Sequence, residues 1–246
     1  MTSIGDLAGL CDRIAGLFTD VDQSAPSGRI SARTGAPYRP GLPALNETDF
    51  RDLLVRSWVA KHPTELKPPG SIRTEVPYPR LARARCDLVF SSSAWSGSQP
   101  EWAVELKRIQ FVGDNGKNND FNVQKMLSPY LKDRSLIHDI HRMREHPLAS
   151  KHAVVAYCFS YNFNTCDEAQ RRHPSETDRI NNLREVCRRN DATSGDLRCH
   201  DLIVATDGFL RGQGVVTDLA TSDFIDIWRH PCGGGGTVFG WLVSNS

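Results

Sequence analysis

Apolar residues at positions 4, 7, 10, 14, 17 and 18 recur at the spacing of one helix face and predict an amphipathic helix over Ile4–Val21. Residues 22–44 keep no period and are rich in Pro, Gly and Ser, so they read as a connector. Its arginines, Arg29, Arg33 and Arg39, are expected to be solvated loop charges, with contact to a phosphate backbone as the alternative. A second helix is expected from Asn46 to His62, with Asn46 as N-cap and Phe50, Leu53, Leu54, Trp58 and Val59 as the buried stripe. Pro63 to Pro69 ends it, and Ile72–Tyr78, bounded by prolines, predicts an edge strand.

Two short apolar runs follow, Cys86–Phe90 and Trp102–Lys107, with a Ser/Gly/Pro-rich turn between them. They predict a hairpin folded about Ser96. Alternation along a strand places Glu105 and Lys107 on one face and Val104 and Leu106 on the other, and the fold-back sets Asp87 roughly opposite Glu105. Arg83 and Arg85 are expected on the face of Asp87, where they screen carboxylates, meet phosphate or close an edge salt bridge. Charges that interrupt otherwise buried runs favour a site over a merely solvated face.

Beyond the hairpin, residues 113–120 form a polar stretch expected to be flexible and able to touch substrate. It fails as a calcium loop, because Gln124 or Lys125 stands where the closing Glu is needed. Helices are expected at Phe121–Lys132 and Ser135–Glu145, the second burying Leu136, Ile137, Ile140 and Met143, with His138 and His141 solvated or capping and contact with a metal as the alternative. A buried strand at His152–Phe163 and a helix at Ser175–Arg189 follow, the latter opening on a Ser175–Asp178 capping box and exposing Arg179, Arg184, Arg188 and Arg189. Strands are expected at Cys199–Ala205, Phe224–Arg229 and Thr237–Val243, with Gly233–Gly236 as a flexible turn.

At 246 residues, 39% hydrophobic and 24% charged, the chain can bury one substantial core. A net charge of +1 does not announce a nucleic-acid partner, although 30 Lys and Arg suffice to line a cleft. The N-terminus lacks the form of a signal peptide, and no apolar run is long enough to span a bilayer. Seven cysteines at irregular spacing predict reduced thiols in a cytoplasmic protein and argue against zinc.

Asp87 on one strand with Glu105-Leu106-Lys107 on the next resembles the PD-(D/E)XK nuclease superfamily, with Cys86 in place of the usual Pro. The resemblance covers Glu47 to about Arg144. It implies an α/β fold: a restriction-endonuclease-like core, a central mixed β-sheet flanked by helices. The core would span 46–165, after an N-terminal helix and connector (1–45). A C-terminal α/β part (166–246) would complete the sheet or form a specificity region. It also implies a metal-dependent endonuclease acting on DNA, of restriction or defence type, possible as a homodimer. The alternative is a nuclease-like nucleic-acid-binding module without catalysis. Asp87, Glu105 and the main-chain carbonyl of Leu106 would hold Mg²⁺, with Mn²⁺ able to substitute, and Lys107 would orient or deprotonate the attacking water. Members often add an acid on the preceding helix. Glu47 matches that position, although a first-turn carboxylate also serves the helix dipole, and Glu75 competes for the role. Gln124 and Lys125 match an additional polar position on the following helix.

Overall fold

The computed structural model describes residues 4–27, 30, 35, 37–68, 71–119, 126 and 135–244. The expected helix at Phe121–Lys132, with Gln124 and Lys125, lies outside the described residues apart from Met126, as do Arg29 and Arg33.

One six-stranded sheet runs through the chain in the order β1-β2-β3-β4-β6-β5. Its strands are β1 (Ile72–Pro77), β2 (Arg85–Phe90), β3 (Trp102–Ile109), β4 (Lys151–Ser160), β5 (Val216–Ile227) and β6 (Gly234–Val243). Among the described strands only β3 and β4 pair in parallel, which makes the sheet mixed. The helices are α1 (Leu7–Gly16), α2 (Phe18–Ser24), α3 (Glu47–Lys61), α4 (Leu136–Glu145), α5 (Phe163–Arg172), α6 (Thr177–Asn190) and α7 (His200–Gly212). Both faces of the sheet are covered. Leu88, Phe90, Val104 and Leu106 pack with α1, α2 and α3 on one side. Val89, Ala103, Phe239 and Trp241 pack with α4 and α7 on the other. The charged face of the hairpin is therefore a second interior surface, and Glu105 is 3% exposed.

Several expected elements form where their local signals placed them. Asn46 caps α3, its side chain accepting from the Asp49 N–H at 2.7 Å. β1 is an edge strand pairing only with β2.

Others differ, each for a physical reason. The N-terminal helix breaks at Leu17 into α1 and α2. Cys199–Ala205 is not a strand but the cap and first half of α7, because Ile203, Thr206 and Leu210 form a buried helical stripe. The last edge strand begins at Val216 rather than Phe224 and ends at Ile227, its polar outer residues hiding the pattern. β4 ends at Ser160, and α5 follows as a helix that the buried-strand reading missed. Ser175–Asp178 forms no capping box: Pro174–Glu176 is a 3-10 turn, and α6 starts without a side-chain cap. Gly234–Gly236 lies within β6, where a Cβ at Gly236 would sit 2.1 Å from the Cys158 carbonyl oxygen. Those glycines serve close backbone approach, not a flexible turn. Cys158 and Cys199 form a disulfide joining β4 to the start of α7, so the expectation of reduced thiols fails for this pair. Among the described residues no helix is long and apolar enough to cross a membrane.

Candidate active site at the β2–β3 gap

The pairs Leu88–Val104, Val89–Ala103 and Phe90–Trp102 set the hairpin register, which carried one pair further sets Asp87 across from Glu105. There the strands part. The Leu106 N–H, beyond the last β2–β3 pair, donates to Asp87 Oδ2 at 2.8 Å. The carbonyl of a strand residue points the same way as its own N–H, so the Leu106 carbonyl also faces this gap. The gap opens at the C-terminal end of a parallel strand pair, the end at which open α/β sheets characteristically bind ligands.

Burial pushes the Glu105 carboxyl well above its ordinary pKa, and the charges of Asp139 and Asp87 add to the shift. Lys107 and the Tyr78 hydroxyl, which donates to Glu105 Oε1 at 2.7 Å, oppose it. Burial also raises Asp87, against the Leu106 N–H, the Lys107 charge, a hydrogen bond from Glu105 and the charge of Arg51. Like charges at this range disfavour ionising both carboxyls together, which adds to the effect of burial. Glu105 Oε2 lies outside the Tyr78 bond, and Asp87 Oδ1 lies outside the Leu106 bond but pairs with Arg51 Nη1 at 3.6 Å.

Lys107 points to the same interior surface, its Nζ 2.8 Å from Asp139 Oδ2. Burial alone would lower its pKa, but Asp139, Glu47 and Glu105 outweigh burial and raise it, so the ammonium stays charged. Arg142 binds the other oxygen of Asp139 and lies 5.4 Å from the Tyr78 ring centre.

The outer acids separate clearly. Glu47 is exposed in the first turn of α3, close enough for its charge to act on Lys107. Glu75, exposed on β1 with φ +53°, pairs with Arg51, whose buried guanidinium also binds Asp52. Arg85 does not join the carboxylates; it donates to the Glu75 carbonyl at 3.0 Å, while Arg83 lies exposed before β2. His138 hydrogen-bonds Ser135 at the start of α4, and His141 is exposed, so neither enters the gap.

Three contributors were missed from sequence: Asp139, Arg51 and Tyr78. Asp139 had a legible signal. It falls between Leu136, Ile140 and Met143 on the buried stripe of α4, where an unpaired carboxylate would be costly. Arg51 likewise follows Glu47 by one helical turn on the side of Leu54 and Trp58. The polar stretch at 113–119 is pinned rather than loose: Asp114 accepts from His230 Nε2 at 2.9 Å and pairs with Arg179, which binds the Asp114 carbonyl.

Among the described residues no group of three or more His, Cys, Asp or Glu side chains is placed to hold a metal ion. Mg²⁺ does not require one: it binds through one or two carboxylates with waters and phosphate completing its shell. Asp87, Glu105 and the Leu106 carbonyl fit that chemistry, because they offer hard oxygen donors on one gap and a divalent cation would offset the repulsion between the two carboxylates. No family model, curated protein or solved structure matches the chain.

Proposed function

We propose that the protein is a metal-dependent phosphodiester hydrolase, with DNA as substrate and endonucleolytic cleavage as the reaction, on a restriction-endonuclease-like core. The observation that carries this reading is the register that sets Asp87 across from Glu105 at the strand gap, beside a half-buried Lys107 whose ammonium pairs with Asp139 at 2.8 Å. A bound Mg²⁺ would supply an acidified water and neutralise charge developing on the phosphoryl group.

The protein's own groups divide the remaining work. Asp87 and Glu105 offer one oxygen each, fixed in direction by the Leu106 N–H and the Tyr78 hydroxyl. Lys107, held by Asp139, serves as a fixed cation for a phosphate oxygen and orients water. In the metal-free protein Asp139, Glu47 and Glu105 favour its charged form over the neutral one that burial favours. Glu47 at the mouth of the gap is the outer acid.

Incubation with supercoiled plasmid and single-stranded DNA, with Mg²⁺ or with excess chelator, tests the reading. Metal-dependent nicking or linearisation that disappears in Asp87→Ala and Glu105→Ala supports it. A gel shift without cleavage would instead make the protein a nuclease-like binding module, and neither shift nor cleavage would reject DNA as substrate.

A further inference from the structure

Helix α7 has two apolar faces where one would suffice. Ile203, Thr206 and Leu210 are buried against the sheet. On the outer face Val204 is 55% and Phe209 44% exposed, with Ala205 and Gly208 between them at helical spacing. A Cβ added at Gly208 would meet nothing within 4 Å, so the middle of this face is shallow and open. Val204 also borders a cavity of about 610 Å³ lined by Ile203, Leu219, Phe224 and Ile225, and Ile225 on β5 is 72% exposed. An apolar strip running from a helix onto a neighbouring strand marks an interaction surface better than scattered exposed residues do.

We propose that this surface binds a second copy of the chain, with α7 packed antiparallel against α7 of the other protomer about a two-fold axis. A two-fold interface must be self-complementary, and the face meets that demand. Read along the helix it runs large, small, small, large. Reversing it about its midpoint sets Val204 against Phe209 and Ala205 against Gly208 of the other copy, so the small pair lets the axes approach within the usual 8–10 Å. Charge agrees with shape. Asp201 is exposed in the first turn of α7, and the antiparallel arrangement brings it near Arg211 of the other copy, which is exposed in the last turn and pairs with Asp207 of its own helix. The edge of β5 offers no competing route, since Asp218, Asp223 and Asp226 stand along it and a register shift interrupts it between Phe224 and Ile227. Acidic residues and bulges of this kind block strand-to-strand joining. A helix of 13 residues spans only about 20 Å, so the interface is smaller than that of a permanent dimer and the association is weak. The surface lies at the β5 end of the sheet, away from the β2–β3 gap, so it stands or falls independently of the proposed hydrolase activity.

Sedimentation equilibrium of the full chain from about 1 to about 100 μM tests the proposal over the range a weak interface populates. The expected mass rises from 27.4 kDa toward twice that value. Phe209→Glu should hold the protein at the monomer mass throughout, with its circular dichroism spectrum unchanged. Asp201→Arg and Arg211→Asp should each raise the dissociation constant, roughly tenfold or less for rim charges, and the double variant should recover most of the loss. A wild-type monomer across the range would overturn the proposal. So would a dimer indifferent to Phe209→Glu, or a double variant no tighter than the worse single one.

Discussion

Asp139→Asn is the perturbation in which the interior of the site can be weighed. The side chain is 2% exposed, with Lys107 Nζ 2.8 Å from one oxygen and Arg142 on the other. Removing one partner of a buried ion pair costs about 3–5 kcal/mol, because the other charge is left without compensation. Two features reduce that figure here. Glu105 loses the foremost like charge acting on it, and Arg142 keeps the Tyr78 ring and the charge of Glu105. The net loss should be about 2–3 kcal/mol, which at a urea m-value of ~2 kcal/mol/M moves the unfolding midpoint down by about 1–1.5 M. Lys107→Met should also destabilise, and the double variant should lose less than the sum, by a coupling of ~1–3 kcal/mol expected for residues in direct contact. Strict additivity would refute the idea that Asp139 holds Lys107 in the folded protein. A neutral Asp139→Asn would refute it as well.

Glu105→Gln should stabilise the metal-free protein, with a sign that follows from linkage. The folded-state pKa of Glu105 is raised, so the native state binds its proton more tightly and stability falls as pH rises above the ordinary glutamate value. The variant lacks that loss, so its advantage in thermal melts should grow from pH 4.5 toward neutrality; equal pH dependence in both proteins would count against the buried carboxyl pair. Glu47→Gln should lower cleavage by about tenfold or more if it serves the site, against a loss of only ~0.3–1 kcal/mol of stability if it serves the helix dipole alone. Glu75→Gln, measured beside it, should leave turnover near wild type, and a defect confined to that variant would reverse the assignment.

The hairpin was legible because its signals are local. Alternating side chains, a turn-forming insert and one register were enough to bring Asp87 across from Glu105. Asn46 and the proline-bounded β1 were legible for the same reason. What escaped was decided by partners distant in sequence. Cys199–Ala205 contains the run Leu202-Ile203-Val204, which suits strand or helix equally, and only packing against Phe239 and Trp241 selects the helix. Asp139 and Arg51 were hidden because an ionisable residue on an apolar stripe reads as exposed until its counter-charge is known. Those counter-charges, Lys107 and Glu75, stand 32 and 24 residues away. The tie between Cys158 and Cys199 spans 41 residues and leaves no spacing motif.

A divalent cation held by Asp87 and Glu105 must compete with protons for the same oxygens, because burial raises the pKa of both carboxyls. Isothermal titration calorimetry with Mg²⁺ near neutral pH, repeated in two buffers of different ionisation enthalpy, measures both events together. Saturable binding to the wild-type protein is expected, with release of up to about one proton per metal. Asp87→Asn should lose most of the binding, and Lys107→Met should retain it. Binding of equal strength in Asp87→Asn, or wild-type binding whose heat is the same in both buffers, would contradict that expectation.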